Sequence, residues 1–227
     1  MNAKLGIVTG LAFEAKVARS ANTPGIEVLC LGPGPQNAGA AAATLVERGV
    51  QALMSFGVAG ALDPALEAGA LVVPDAIQSN AGETIPCDPD LSDLLREGGH
   101  TVGGTLLGVD QAVDTVGAKA AAFEQTCAVA VDMESHSVAY VAQESGVRMI
   151  AARAIIDPAH QQLPSSVLAG AKPGGGLNIG GLLLGLLKNP AEIADVARLA
   201  RQNRAAQKAL RDLAAFRFAH LFLGEEI

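Results

Sequence analysis

The feature that most restricts this chain is a repeating order: a short apolar run, a glycine-bearing break, then an alanine-rich stretch of helical length. Short apolar runs bounded by turn residues read as strands buried on both faces, and their alternation with helices predicts a mostly parallel sheet with helices on either side. Residues 5–9 read as the first strand and residues 13–18 as a helix. Residues 25–31 are a second strand running into the rigid turn Gly32-Pro-Gly-Pro35. A helix over 37–48 follows, with Gly49 at the position where a left-handed backbone costs glycine least. Residues 52–56 are a buried strand, and Gly57-Val-Ala-Gly60 reads as the turn at its end. Residues 71–73, 106–108, 128–131 and 149–155 supply further strands, and 132–144 a helix with acidic residues in its first turn, as the macrodipole favours. The fold class expected is therefore α/β: three layers around a central mixed, mostly parallel sheet.

No repeat or linker interrupts the 227 residues, so 1–227 is read as a single domain, with 176–227 as a helical C-terminal extension. Half of the residues are apolar, enough for one substantial core, which excludes a disordered chain. A net charge of -7 argues against nucleic acid as the main partner, because phosphate contacts need clustered cations. Three cysteines without CxxC spacing disfavour a disulfide framework, and Cys127, in an apolar context, is read as core. Only a short apolar run follows Met1 to Lys4, so a cytoplasmic location is expected. His100, His136, His160 and His220 have no metal-ligand spacing. The extension differs in charge. Residues 188–217 hold seven Lys or Arg against three Asp or Glu, while the rest of the chain holds nine against twenty. Arg198, Arg201, Arg204, Lys208 and Arg211 recur at steps of three and four and share one helical face. That face is read first as a solvated one, and second as a peripheral contact with an anionic membrane surface, together with residues 180–187.

The constellation with most chemistry is Val131-Asp-Met-Glu-Ser135, followed by Arg153-Ala-Ile-Ile-Asp157. A glutamate at the mouth of a sheet can accept two hydrogen bonds from vicinal hydroxyls, and a buried aspartate at the next strand end can protonate a leaving group. Read from spacing alone, the plainer roles are favoured: a helix-start acid for Glu134 and a strand-end cap for Asp157. These two motifs, with Phe56-Gly-Val-Ala-Gly60, the segment from Leu66 to Val73 and the loop from Thr9 to Glu14, resemble the nucleoside phosphorylase and methylthioadenosine nucleosidase superfamily. Leu107-Gly-Val-Asp110, Asp157-Pro-Ala159 and the tail over 183–213 are most similar to its hopanoid-associated phosphorylase branch, thought to act on adenosylhopane, a lipid-linked adenosine.

The resemblance implies cleavage of a purine N-glycosidic bond by a homo-oligomer, with no metal or organic cofactor and inorganic phosphate as co-substrate. It implies that Asp157 is the acid at the departing purine, that Glu134 holds the ribose hydroxyls beside Asp132 and Met133, and that Glu14 handles the nucleophile. Gly57, Val58, Ala59 and Gly60 would lie along sugar and base, with Asp110, Gln111, Ala112 and Val113 as a purine wall. Ser55 and Val58 stand where the phosphorylases carry Arg and Ser for phosphate, which leaves the backbone of Thr9, Gly10, Gly32 and Gly34 as phosphate candidates. Proline at 33 and 35 removes two donors from that stretch. Phosphorolysis is the first expectation; the alternatives are a hydrolytic nucleosidase for methylthioadenosine- or futalosine-like substrates and a non-catalytic purine sensor. The triple set Glu14, Glu134 and Asp157 argues against the sensor.

Overall fold

The computed structural model describes residues 4–97, 99–162, 193–218 and 221. Its elements run β1 (Leu5–Val8), α1 (Ala12–Ser20), β2 (Ile26–Leu29), α2 (Pro35–Glu47), β3 (Ala52–Ala61), β4 (Leu71–Val72), β5 (Ala76–Ser79) and β6 (Thr84–Pro86). There follow α3 (Pro89–Arg96), β7 (Thr101–Val102), β8 (Thr105–Gly108), α4 (Val116–Thr126), β9 (Ala130–Asp132), α5 (Ser135–Ser145), β10 (Arg148–Asp157) and α6 (Ile193–Arg217). All ten strands join one sheet, and parallel pairings predominate. Helices α2 and α5 cover one face, where Ala38, Ala42, Leu45 and Ala139 pack on Leu53 and Ala151. Helices α1, α3 and α6 cover the other, with Val17, Leu95, Leu210 and Phe218 against Ile7, Met54 and Ile150. The expected three layers are present. Each fully buried Leu or Phe here contributes about 1.5–3 kcal/mol.

The path of β3 sets up everything that follows. One edge pairs along its length with β10, from Arg148 opposite Ala52 to Asp157 opposite Gly60. The other edge is shared: β1 pairs only as far as Val8 opposite Ser55, and β9 joins antiparallel at Gly60 opposite Val131. Residues 56–59 therefore have a vacant ladder edge, and buried backbone N–H groups there must find partners elsewhere. The stretch read from sequence as a turn, Gly57-Val-Ala-Gly60, is thus the second half of a ten-residue strand. Pairing with β10 holds it extended.

Other sequence readings shift as well. The helix expected from 132 begins at Ser135; Asp132 closes β9 and Glu134 is the N-cap. Cys127 is exposed, with a left-handed backbone at the C-cap of α4, and is not core. Pro35 opens α2 as its first residue, behind Gly34 at φ 97°. The short strands β5, β6 and β7, and helices α3 and α4, were not anticipated. In the extension, α6 buries Ala206, Leu210, Leu213 and Ala214, while Arg198, Arg201, Arg204, Lys208 and Arg211 are exposed. Residues 163–192, which include the segment 180–187, lie outside the described residues. Among the described residues no helix is long and apolar enough to cross a membrane.

Candidate active site

A cavity of 240 Å³ opens at the carboxyl ends of β1, β3 and β10, bounded by the end of β9. Strand ends where the order of a sheet reverses are where α/β folds bind ligands. Glu14, Glu134 and Asp157 all line this cavity, as do Gly10, Val58, Ala59, Gly60, Ala112, Val113, Asp132 and Met133. Gly57 lies behind the lining. Asp110 and Gln111 are exposed, and Asp110 Oδ1 lies 3.2 Å from His136 Nε2. Of the expected purine wall, Ala112 and Val113 are on the cavity. A larger cavity, 560 Å³, lies between α3 and α6 and contains none of these groups.

Glu14 is placed by the first turn of α1 and answers the vacant edge of β3. Its Oε1 accepts the Val58 N–H at 2.9 Å, and Oε2 accepts those of Gly10 at 3.1 Å and Leu11 at 2.8 Å. Burial raises its pKa to about 7, against the opposing pull of Arg153 and of the amides. Glu134 accepts the Gly34 N–H at 2.9 Å; burial and then the Asp132 charge push its pKa up, with Arg153 working the other way. Asp157 is also raised by burial, opposed by Lys119. Three carboxyl groups with unlike surroundings thus face one space, the arrangement that separates acid from base roles.

The carboxylates sit where side chains are missing. A Cβ on Gly57 would lie 2.4 Å from Glu14 Oε1 and 2.5 Å from Arg153 Nη1. One on Gly10 would lie 2.9 Å from Glu134 Oε1, and one on Gly60 3.2 Å from Asp157 Oδ2. The glycines serve close approach, not bending.

Beneath the floor lies Arg153, fully buried, which ion-pairs with Asp132 and donates from Nη2 to Ser55 Oγ at 2.6 Å and Ser135 Oγ at 3.1 Å. Burial disfavours its charge, but Asp132, Glu134 and Glu14 more than reverse this. Ser55 and Asp132 are therefore committed to supporting the floor. The phosphate candidates are largely engaged too: the Thr9 N–H donates to Leu29 O, and those of Gly10 and Gly34 donate to the two glutamates. Two residues were not singled out from sequence. Arg153 stood inside a quoted motif, without a visible counter-charge. Lys119 carried no signal at all in an alanine-rich helix; its Nζ donates to Asp157 Oδ2 at 2.5 Å. Among the described residues no three His, Cys, Asp or Glu side chains gather as metal ligands would.

This architecture, a mixed sheet between two helical layers with the cavity at its strand ends, is the nucleoside phosphorylase and nucleosidase fold. A family profile described as the Phosphorylase superfamily matches residues 17–172, more than half of the chain, and the chain belongs to that family. Solved structures agree on the fold. One is the 5'-methylthioadenosine/S-adenosylhomocysteine nucleosidase of Helicobacter pylori, 18% identical, covering 94% of this chain and 98% of its own at a TM-score of 0.67. The corresponding enzyme of Neisseria meningitidis is 15% identical, covering 94% and 98%, with a TM-score of 0.68. The futalosine hydrolase of Helicobacter pylori is 23% identical, covering 69% of this chain and 88% of its own, with a TM-score of 0.62. No curated protein matches the chain.

Proposed function

We propose that the protein cleaves the N-glycosidic bond of a purine nucleoside, with water as the acceptor. The observation that carries this reading is the convergence of Glu14, Glu134 and Asp157 on one cavity, each in a different electrostatic setting. In the proposed reaction the bond between the anomeric carbon and the base breaks, and its electron pair goes to the purine. Asp157 gives a proton to N7 of the base, so that a neutral purine leaves. The sugar gains oxocarbenium character, which the nearby carboxylates stabilise, while Glu134 accepts hydrogen bonds from its hydroxyls. Glu14, with a pKa of about 7, takes one proton from the attacking water as its oxygen bonds to the anomeric carbon. The products are free sugar and free base. Water is favoured over phosphate because the Gly10 and Gly34 amides already serve carboxylates. A phosphate seated there would face like charge. The solved nucleosidases and hydrolase of the same fold support a hydrolytic reaction on nucleosides.

A second reading, phosphorolysis of adenosylhopane to release adenine in hopanoid biosynthesis, follows from the resemblance of the tail. The exposed row Arg198, Arg201, Arg204, Lys208 and Arg211 favours its lipid-linked half, since an amphiphilic nucleoside resides in a membrane. One assay separates the readings. The protein is incubated with adenosine, methylthioadenosine or adenosylhopane, with and without phosphate, and the products are weighed by mass spectrometry. Free sugar at a phosphate-independent rate is expected. Sugar 1-phosphate formed only with phosphate would overturn the hydrolytic reading, and no base release from any of the three would overturn both.

A further inference from the structure

Lys119 is the one buried residue of α4, and no part of it reaches solvent. Its Nζ donates to Asp157 Oδ2 at 2.5 Å, Pro158 O at 3.0 Å and Gln161 O at 3.1 Å, the full donor complement of an ammonium. Gln161 is itself buried and is fastened by Gln202 of α6, 2.6 Å away. A leucine or methionine at 119 would bury without the desolvation cost of a cation. Packing alone therefore does not account for it. The cation also starts from a telling place, because the segment just before α4 contributes Val109, Ala112 and Val113 to the cavity.

We propose that Lys119 is a positioning residue for the acid: it anchors Oδ2 of Asp157 and leaves Oδ1 to meet the departing base. The inference rests on the reading of Asp157 as the group that protonates the purine. Among the described residues Lys119 is the charged side chain that acts on Asp157, with uncharged Gly60 and Ile156 as its neighbours on β3 and β10. Burial drives the carboxyl towards its neutral form and the ammonium resists. Removing the cation therefore raises the pH at which Asp157 loses its proton, and frees the carboxyl to turn.

The test uses Lys119→Met, Lys119→Gln and Lys119→Arg on the full chain, assayed on adenosine and on 4-nitrophenyl riboside, whose phenolate needs no protonation to leave. For Lys119→Met we expect kcat on adenosine to fall on the order of 10²-fold. KM should change little, nitrophenyl release should be retained, and the basic limb of the pH profile should move to higher pH. Lys119→Arg should recover part of the loss. If Lys119→Met does not fold by circular dichroism, Lys119→Gln, which keeps a donor and fills the space, carries the test. Folded variants with an unchanged adenosine rate and an unmoved limb would overturn the inference, as would equal losses on both substrates. Asp157→Asn serves as the control. If it stays fully active on adenosine, the function reading itself fails; if it is inactive while the Lys119 variants are unaffected, only the role of Lys119 fails.

Discussion

Glu14 holds its proton up to a pH of about 7 in the folded chain, against an ordinary 4.5. Folding therefore takes up a proton between those two values. A carboxyl raised in this way adds stability that is complete below about pH 4.5 and is lost as pH climbs through 7. At about 1.4 kcal/mol for each pH unit of the gap, the difference is about 3 kcal/mol at most. Glu14→Gln removes this titration. It also leaves a single oxygen where three amides converge, so it should be less stable than the wild type at low pH, by about 1–3 kcal/mol. Melting both proteins from pH 4 to 9 and subtracting the curves cancels Asp157, which titrates alike in each, and leaves Glu14 with the smaller effect of its charge on Glu134. About 2.5 kcal/mol of the Glu14 difference is lost between pH 5 and 8, so the advantage of the wild type should shrink by about 5–10 °C over that range, at roughly 2–4 °C per kcal/mol for a chain of this size. A difference that stays flat with pH would show that the Glu14 carboxyl is not raised, and would remove its claim to act as a base near neutrality.

Gly57→Ala pushes a methyl into Glu14 and Arg153 at 2.4 and 2.5 Å. It should cost about 1–3 kcal/mol in denaturant unfolding and lower base release sharply, whereas a variant of native stability and activity would refute the close-approach account of β3. Neutralising Arg198, Arg201, Arg204, Lys208 and Arg211 to Gln should leave adenosine turnover unchanged. It should also abolish co-sedimentation with anionic liposomes at low salt, and wild-type protein that never sediments would discard the membrane contact.

The three-layer plan was legible because apolar runs and alanine-rich stretches have distinct periods, and both long core strands, β3 and β10, begin with such runs. The end of β3 was misread because glycine looks the same whether it bends the chain or clears room for a neighbour, and only the Glu14 and Arg153 contacts decide between these. Helix α3 has a legible start, with Asp88 as its N-cap accepting the Leu91 N–H and Pro89 first in the helix, a signal the periodicity reading passed over. Glu14, Glu134 and Asp157 were findable from their motifs. Lys119 was not, because 38 residues separate it from Asp157 and nothing local marks a lysine whose partner arrives from another strand.

The row of absent side chains at 10, 57 and 60 has a consequence for anyone wishing to retune this pocket. At 57 and 10 a carboxyl group sits in the seat that a methyl would take, and at 60 it crowds that seat at 3.2 Å, so diversity introduced at those sites displaces an acid before it reshapes selectivity. Val58 holds Glu14 through its backbone N–H alone, which any residue but proline keeps; its side chain, with Ala59, Val113 and Ile156, borders the same hollow, and a library confined to these four would vary what is admitted while sparing what is done to it.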